Sequence, residues 1–254
     1  MSEMICLVYR QPTGVTDILD EAVRGTPILD VQDNHRVRHR VWSLSSHVSD
    51  SVAAAISGSG AYIADGHHRA AAAQASMEGD QRHILSVPVG IFDVDQVSVT
   101  AFHRQVKGPL DPGETIQLIR DGRVVVRPLE CKPGVGLRNG LLHLYVGGDW
   151  YELLLPLSME HGARSLDVTR LHKLMKNQLG KVVESKRVSF IRPSASLDVS
   201  TRKCDHQQGC LFLLAPPSLD EVLWIADRGE TLEMKTTYIE PKLSSKIFLL
   251  PVGR

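Results

Sequence analysis

Asp65-Gly66-His67-His68-Arg69 is the stretch best equipped for chemistry. A brief apolar run, Ala61 to Ala64, leads into Asp65, and an alanine-rich run of high helix propensity, Ala70 to Met77, follows Arg69 and stops at Gly79. The pattern predicts a buried strand, a tight turn and the first turn of a helix. Three effects converge there. Unpaired N–H groups and the helix dipole attract anions. Gly66 has no side chain, so phosphate oxygens can approach the main chain. Arg69 offers a planar fork of donors that stays charged. Asp65 can hold a magnesium ion or take a proton from an attacking hydroxyl, and His67 or His68 can donate to a bridging oxygen. The competing reading is structural, since Asp-Gly is a common turn dipeptide and paired histidines can cap a helix. Adjacent helical histidines point about 100° apart, so no zinc ion is expected between them.

Other charged groups are candidates to face this turn. His35 to Arg40 is the one basic run, on an alternating strand from Arg36 to Leu44; apart from Trp42 it lacks interleaved aromatics, which favours a solvated or phosphate-facing wall over a nucleic-acid surface. His39 and Arg40 are its candidate ligand-binding residues. Arg104 and Lys107 differ in strand parity, so only one can enter a shared cleft, and Arg104 is the choice. Lys235, Thr236, Tyr238 and Lys242 bring two ammonium groups and two hydroxyls into a short stretch able to bind phosphate or carboxylate. Asp227 and Glu230 flank a helix end and read as solvated. Cys6, Cys131, Cys204 and Cys210 have no Cys-x-x-Cys spacing and read as buried thiols, and a metal site at Cys204, His206 and Cys210 is disfavoured by that spacing.

The surrounding elements follow from periodicity. Met4 to Tyr9 reads as a strand and Val15 to Arg24 as a helix stopped by Gly25; Ser49-Asp50 can cap a helix running through Ile56. Leu85 to Phe92 and Val97 to Lys107 read as paired strands joined around Asp93-Val94-Asp95. Leu141 to Val146 and Trp150 to Leu155 flank Gly147-Gly148-Asp149, a hairpin signal; Asp167 can cap a helix ending at Gly180. Cys210 to Leu214 reads as a strand, Ser218 and Glu221 as the capping box of a helix ended by Gly229, and Ile247 to Val252 as a last strand. The 254 residues, 43% hydrophobic and 23% charged, exclude disordered, collagenous and coiled-coil classes. Lys plus Arg equals Asp plus Glu at 29 each, so no whole-chain field draws in nucleic acid or anionic membrane. No apolar run approaches the roughly 20 residues of a membrane span, and Met1 to Tyr9 has no signal-peptide pattern, so a cytoplasmic protein is expected.

The segment from Tyr62 through Asp65-Gly66-His67-His68-Arg69 to Ala73 resembles the signature of the bacterial domain-of-unknown-function family 1015. The likeness takes in His39-Arg40-Val41-Trp42, Arg104-Gln105-Val106-Lys107, Leu166-Asp167-Val168, Ala226 to Glu230, and Lys235 to Lys242, a variant of the family's Lys-Ser-Thr-x-Phe-x-Pro-Lys block. Family members are longer at the front, so the chain looks like a front-truncated member. The Asp-Gly-x-His-Arg core is similar in turn to a phosphate-holding turn of the ParB and sulfiredoxin-like fold. Sulfiredoxins carry a reactive cysteine where this chain has His67, which excludes sulfinic-acid repair. Partition proteins add a helix-turn-helix pair that is not found here. Free-serine kinases of the fold match at Asp65, Gly66, His68 and Arg69, which puts Asp65 and His68 in the catalytic set. Their upstream glutamate has no clear counterpart, since Glu21 lies in an ordinary amphipathic helix.

The expectation is a mixed α/β protein: a ParB/sulfiredoxin-like lobe over residues 1–108 and an appended α+β lobe over 109–254 that walls the cleft. The expected function is a small-molecule kinase with magnesium and ATP, ADP or pyrophosphate as donor and a hydroxyl acceptor, free serine first. The alternative is a non-catalytic nucleotide or phosphometabolite sensor. The expected partner is a small-molecule ligand, with a homo-oligomer allowed.

Overall fold

A computed structural model describes residues 4–10, 14–34, 36–79, 87–134, 137–180 and 187–242, with 76–79 described for their backbone alone. His35, Leu85 and the strand expected over 247–252 lie outside the described residues. The architecture is mixed α/β, as expected, and contacts divide it into Met1–Val97 with Pro241–Arg254, and Ser98–Glu240.

In the first unit the apolar N-terminal run forms β1 (Ile5–Tyr9), with Val8 fully buried. Gly14, at φ +93°, opens α1 (Val15–Ala22). A hairpin of β2 (Leu29–Gln32) and β3 (Arg38–Val41) follows, then α2 (Ser46–Ser57). Ser45 caps α2 by accepting from the Val48 N–H at 3.4 Å, four residues ahead of the cap expected at Ser49-Asp50. The turn-bearing elements are β4 (Ala61–Asp65) and α3 (His67–Gly79), and β5 (Val89–Asp93) completes the unit. Among the described residues this sheet runs β4-β1-β5, so β1 is its buried centre and β4 an edge of it, with Ile63 39% exposed. The expected burial of Ala61 to Ala64 is thereby corrected: a short apolar run fits an edge as well as a centre. The pairing expected for β5 is corrected too. It lies parallel to β1, and a 3₁₀ turn over Val94–Gln96 then carries the chain out of this sheet.

The second unit begins with β6 (Ser98–Ala101) and β7 (His103–Val106), followed by α4 (Pro112–Asp121), β8 (Val125–Leu129), β9 (Leu141–Val146) and β10 (Asp149–Leu154). Then come α5 (Asp167–Leu174), β11 (Val188–Ile191), α6 (Leu197–His206), β12 (Cys210–Leu213), α7 (Leu219–Asp227) and β13 (Thr237–Glu240). An antiparallel six-stranded sheet runs β11-β7-β12-β9-β10-β8, and β13 pairs with β6. Because β6 and β7 hydrogen-bond here, the division falls at 97/98 and again at 240/241, whereas the sequence put its boundary at 108/109.

Strand parity builds the core. Leu142, Leu144 and Val146 of β9 join Phe212 and the apolar stripes of α4, α5 and α7 in one cluster, while Tyr145 faces Leu211, Trp150 and Cys204 in another. Gly147 and Gly148, at φ +63° and +92°, make the expected hairpin between β9 and β10. Asp167 is not the cap of α5: Leu166 holds that position, and the buried Asp167 carboxylate accepts from the Gly140 N–H at 2.7 Å and from Arg170 at 2.9 Å. The capping box of α7 forms as read, Ser218 Oγ accepting from the Glu221 N–H at 3.1 Å. Ser218→Ala should therefore lower unfolding stability by about 1 kcal/mol, read from urea midpoints; an unchanged midpoint would show the cap to be replaceable by water.

Candidate functional site

Sequence and backbone agree at the turn. β4 ends at Asp65, Gly66 adopts φ +92°, a conformation glycine takes without strain, and α3 starts at His67. The Gly66 carbonyl accepts from the N–H groups of Arg69 and Ala70, both at 2.9 Å, which locks the first helical turn. The Gly66 N–H donates to Asp65 Oδ1 at 2.9 Å. A helix start leaves the N–H groups of His67 and His68 without intrahelical acceptors, so these two are the main-chain donors the turn can present to an anion. Both histidine side chains are exposed. Arg69 folds its guanidinium back over Gly66, where a Cβ would sit 2.9 Å from Nη2 and 3.0 Å from Nε. A glycine is needed here for the cation to lie against the main chain.

Lys242 supplies a second cation. Its Nζ meets Asp65 Oδ2 at 2.7 Å, with both side chains partly exposed. Burial works to raise the Asp65 carboxyl, but the Lys242 ammonium, the Gly66 N–H and Arg69 outweigh it and hold the group below the ordinary aspartate range. Beneath lies Cys6, paired across β1 and β4 with Asp65. Burial pushes its thiol up and Asp65 adds to the rise, so Cys6 stays protonated at neutral pH and brings no charge. Cys204 and Cys210 are buried as read, but Cys131 is exposed, contrary to expectation, because it follows β8 at the end of an edge strand.

The remaining candidates are engaged locally. His39 Nε2 lies 3.2 Å from Asp33 Oδ2, the Arg40 guanidinium lies 5.3 Å from the Trp42 ring centroid, and Arg38 is bidentate to Asp30 at 2.7 and 2.6 Å. Arg104 and Lys235 belong to the second unit. Arg104, 6% exposed, donates to the carbonyls of Phe102 and Lys235 at 2.9 and 3.0 Å and stacks on Phe190. Burial brings its guanidinium down to about 10, against the opposing pull of Glu233, so it remains charged at neutral pH. Lys235, itself at φ +59°, lays its ammonium 5.2 Å from the Phe102 centroid. Glu230, read from sequence as solvated, accepts from the Ala163 N–H at 3.0 Å and from Arg228 at 2.9 Å, which is a loop-fixing role. Glu21 sits exposed on α1.

Sequence reasoning placed Lys242 among the ligand-binding residues but missed its partner. No periodicity connects Asp65 to a lysine 177 positions away. The one available signal was a lysine directly after Pro241 in a polar block, which marks a fixed backbone and not a direction.

The family model described as "Protein of unknown function (DUF1015)" matches residues 2–169, ending ahead of the 226–230 and 235–242 stretches that share the resemblance. No curated protein matches the chain. Among solved structures it is similar to a mutant of free serine kinase in complex with ADP, at 16% identity over 94% of this chain and 89% of that one, TM-score 0.45. It is also similar to a conserved hypothetical protein from Pyrococcus furiosus, at 15% identity over 94% and 92%, TM-score 0.43. A third is SbnI with a C-terminal truncation from Staphylococcus aureus, at 15% identity over 92% and 79%, TM-score 0.42.

Proposed function

We propose, for a chain that belongs to the protein-of-unknown-function family DUF1015, that its first unit binds the phosphate groups of a nucleotide or polyphosphate at Gly66–Arg69 and transfers one to a small hydroxylated acceptor. The observation that carries this reading is the convergence of Arg69 and Lys242 on the start of α3, a helix of 13 residues. Two cations, two main-chain donors without intrahelical acceptors and a glycine that admits close approach form an anion cradle. In such a site the His67 and His68 N–H groups take the phosphate oxygens, Arg69 stabilises the charge that develops on the transferred group, and the His68 side chain donates to the bridging oxygen.

A magnesium ion carried in with ATP, ADP or pyrophosphate would find Asp65 ionised and within the cradle, and would neutralise phosphate charge there. A carboxylate held this low is a weak base. Phosphoryl transfer through a loose transition state asks little of a base, so a kinase role does not require one. Free serine is the first acceptor to test, on the resemblance of the Asp65, Gly66, His68 and Arg69 set.

The same low Asp65 carboxyl, with both oxygens already engaged, favours a second reading, a phosphometabolite sensor that binds without transfer. Label transfer separates the two. With magnesium and labelled ATP, ADP or pyrophosphate, wild type should label serine or another hydroxylated amino acid, and Arg69→Ala should not. Binding of these donors without any transfer would leave the sensor, and absence of binding to all of them would sink both readings.

A further inference from the structure

The role of Asp65 can be narrowed, on the footing of the phosphate reading above. A carboxylate beside an anion cradle is at first sight a liability. Its charge repels phosphate, and its Oδ1 is occupied by the Gly66 N–H at 2.9 Å. What it has gained is Lys242, held at Oδ2 by a 2.7 Å ion pair. That lysine lies 177 positions further along the chain, and the ion pair fixes the head of a flexible four-carbon arm beside the turn. An ammonium has three donors. One can stay on Asp65 while another is given to a phosphate oxygen, so the pair need not break when the anion arrives. The other neighbours fit this division of labour. Arg69 supplies the permanent charge over Gly66, and Cys6 below is neutral.

We propose that Asp65 is a positioning residue: it holds Lys242 at the turn as a preorganised phosphate ligand, and its effect on phosphate passes through that ammonium and not through proton abstraction.

The sign of one mutation tests this. Calorimetric titration with inorganic pyrophosphate, in metal-free buffer containing chelator, removes any contribution of Asp65 as a magnesium ligand. If Asp65 positions Lys242, Asp65→Asn weakens pyrophosphate binding about fivefold to tenfold although it removes a negative charge. Lys242→Gln weakens it by a similar factor, and the double variant is no weaker than Lys242→Gln alone, because the two residues act as one unit. Lys242→Arg, which can span the same two groups, retains most of the affinity, an outcome that general damage to the fold would not give. Asp65→Asn that binds pyrophosphate more tightly, or two effects that multiply in the double variant, would overturn the proposal while leaving the phosphate site intact. Wild type that binds no pyrophosphate removes the site itself and the proposal with it. Should Asp65→Asn fail to fold, Asp65→Glu keeps the charge but lengthens the arm, and the same weakening is expected because the ammonium is displaced; unchanged affinity there would count against the proposal.

Discussion

Gly66→Ala is expected to cost the turn about tenfold to a hundredfold in pyrophosphate or ADP affinity while leaving the protein folded. Two effects act together. Gly66 sits at φ +92°, where a side chain costs about 1 to 2 kcal/mol. The new methyl would also stand 2.9 Å from Arg69 Nη2 and 3.2 Å from Cζ. The clashing atoms are the far end of a flexible side chain, so the strain is relieved by moving the guanidinium away from the main chain and not by unfolding. The charge is then lost from the place where the anion must lie. Arg69→Glu should be more severe, about a hundredfold or greater, since it replaces an attracting fork with a repelling carboxylate beside Asp65. Calorimetry with pyrophosphate, paired with thermal unfolding, checks both variants. Folded Gly66→Ala and Arg69→Glu proteins with wild-type affinity would mean that this bend is only a fold element.

The parts of the site legible in the sequence were those encoded locally. Asp65 through Arg69 reads as strand end, turn and helix start because an apolar run, a glycine and an alanine-rich stretch follow one another without a gap. Ser218 with Glu221 and Gly147 with Gly148 are legible for the same reason: each device closes within four residues or fewer. What failed was partner choice. Periodicity gave β5 but not the fact that it pairs in parallel with β1, and gave β4 but not that Ile63 on it is exposed. α6 was missed outright, because Ser200, Thr201 and Asp198 dilute its apolar stripe to little more than Leu197 and the buried Cys204. Arg104 shows the limit of parity arguments. The strand alternation places it on one face, yet its contacts with the Phe190 ring and the Lys235 carbonyl are set by chain segments far from it in sequence. Lys242 is the functional counterpart of that lesson, a residue whose type was readable and whose partner was not.

Acid should weaken the second unit well above the range where ordinary carboxylates titrate. His103, on β7, is mostly buried, and its Nδ1 accepts from the Leu214 N–H at 3.3 Å. Burial, with the charge of Arg104 added, brings its imidazole down to about 4. His143 on β9 is 9% exposed, its Nδ1 has no hydrogen-bond partner, and burial lowers it too, against the opposing pull of Glu152 across the strand pair. In the unfolded chain both titrate near 6.5. The folded state therefore binds fewer protons between about 6.5 and about 4, so stability is fully present above 6.5 and falls as pH drops through that window. For His103 the loss approaches about 3 kcal/mol once pH reaches its folded value. Asp167 acts in the other direction, since burial raises its carboxyl and a proton there favours the folded state at low pH. Its contribution cancels when wild type and a His103→Gln variant are compared at each pH. Urea unfolding at steps from pH 7.5 to 4.5 should show wild type losing stability steeply below 6.5, and the variant, less stable at pH 7.5 but without that titrating group, following a shallower slope. Parallel slopes would mean that His103 takes up its proton without disturbing the Leu214 N–H, and the buried imidazole would have no part in the acid response.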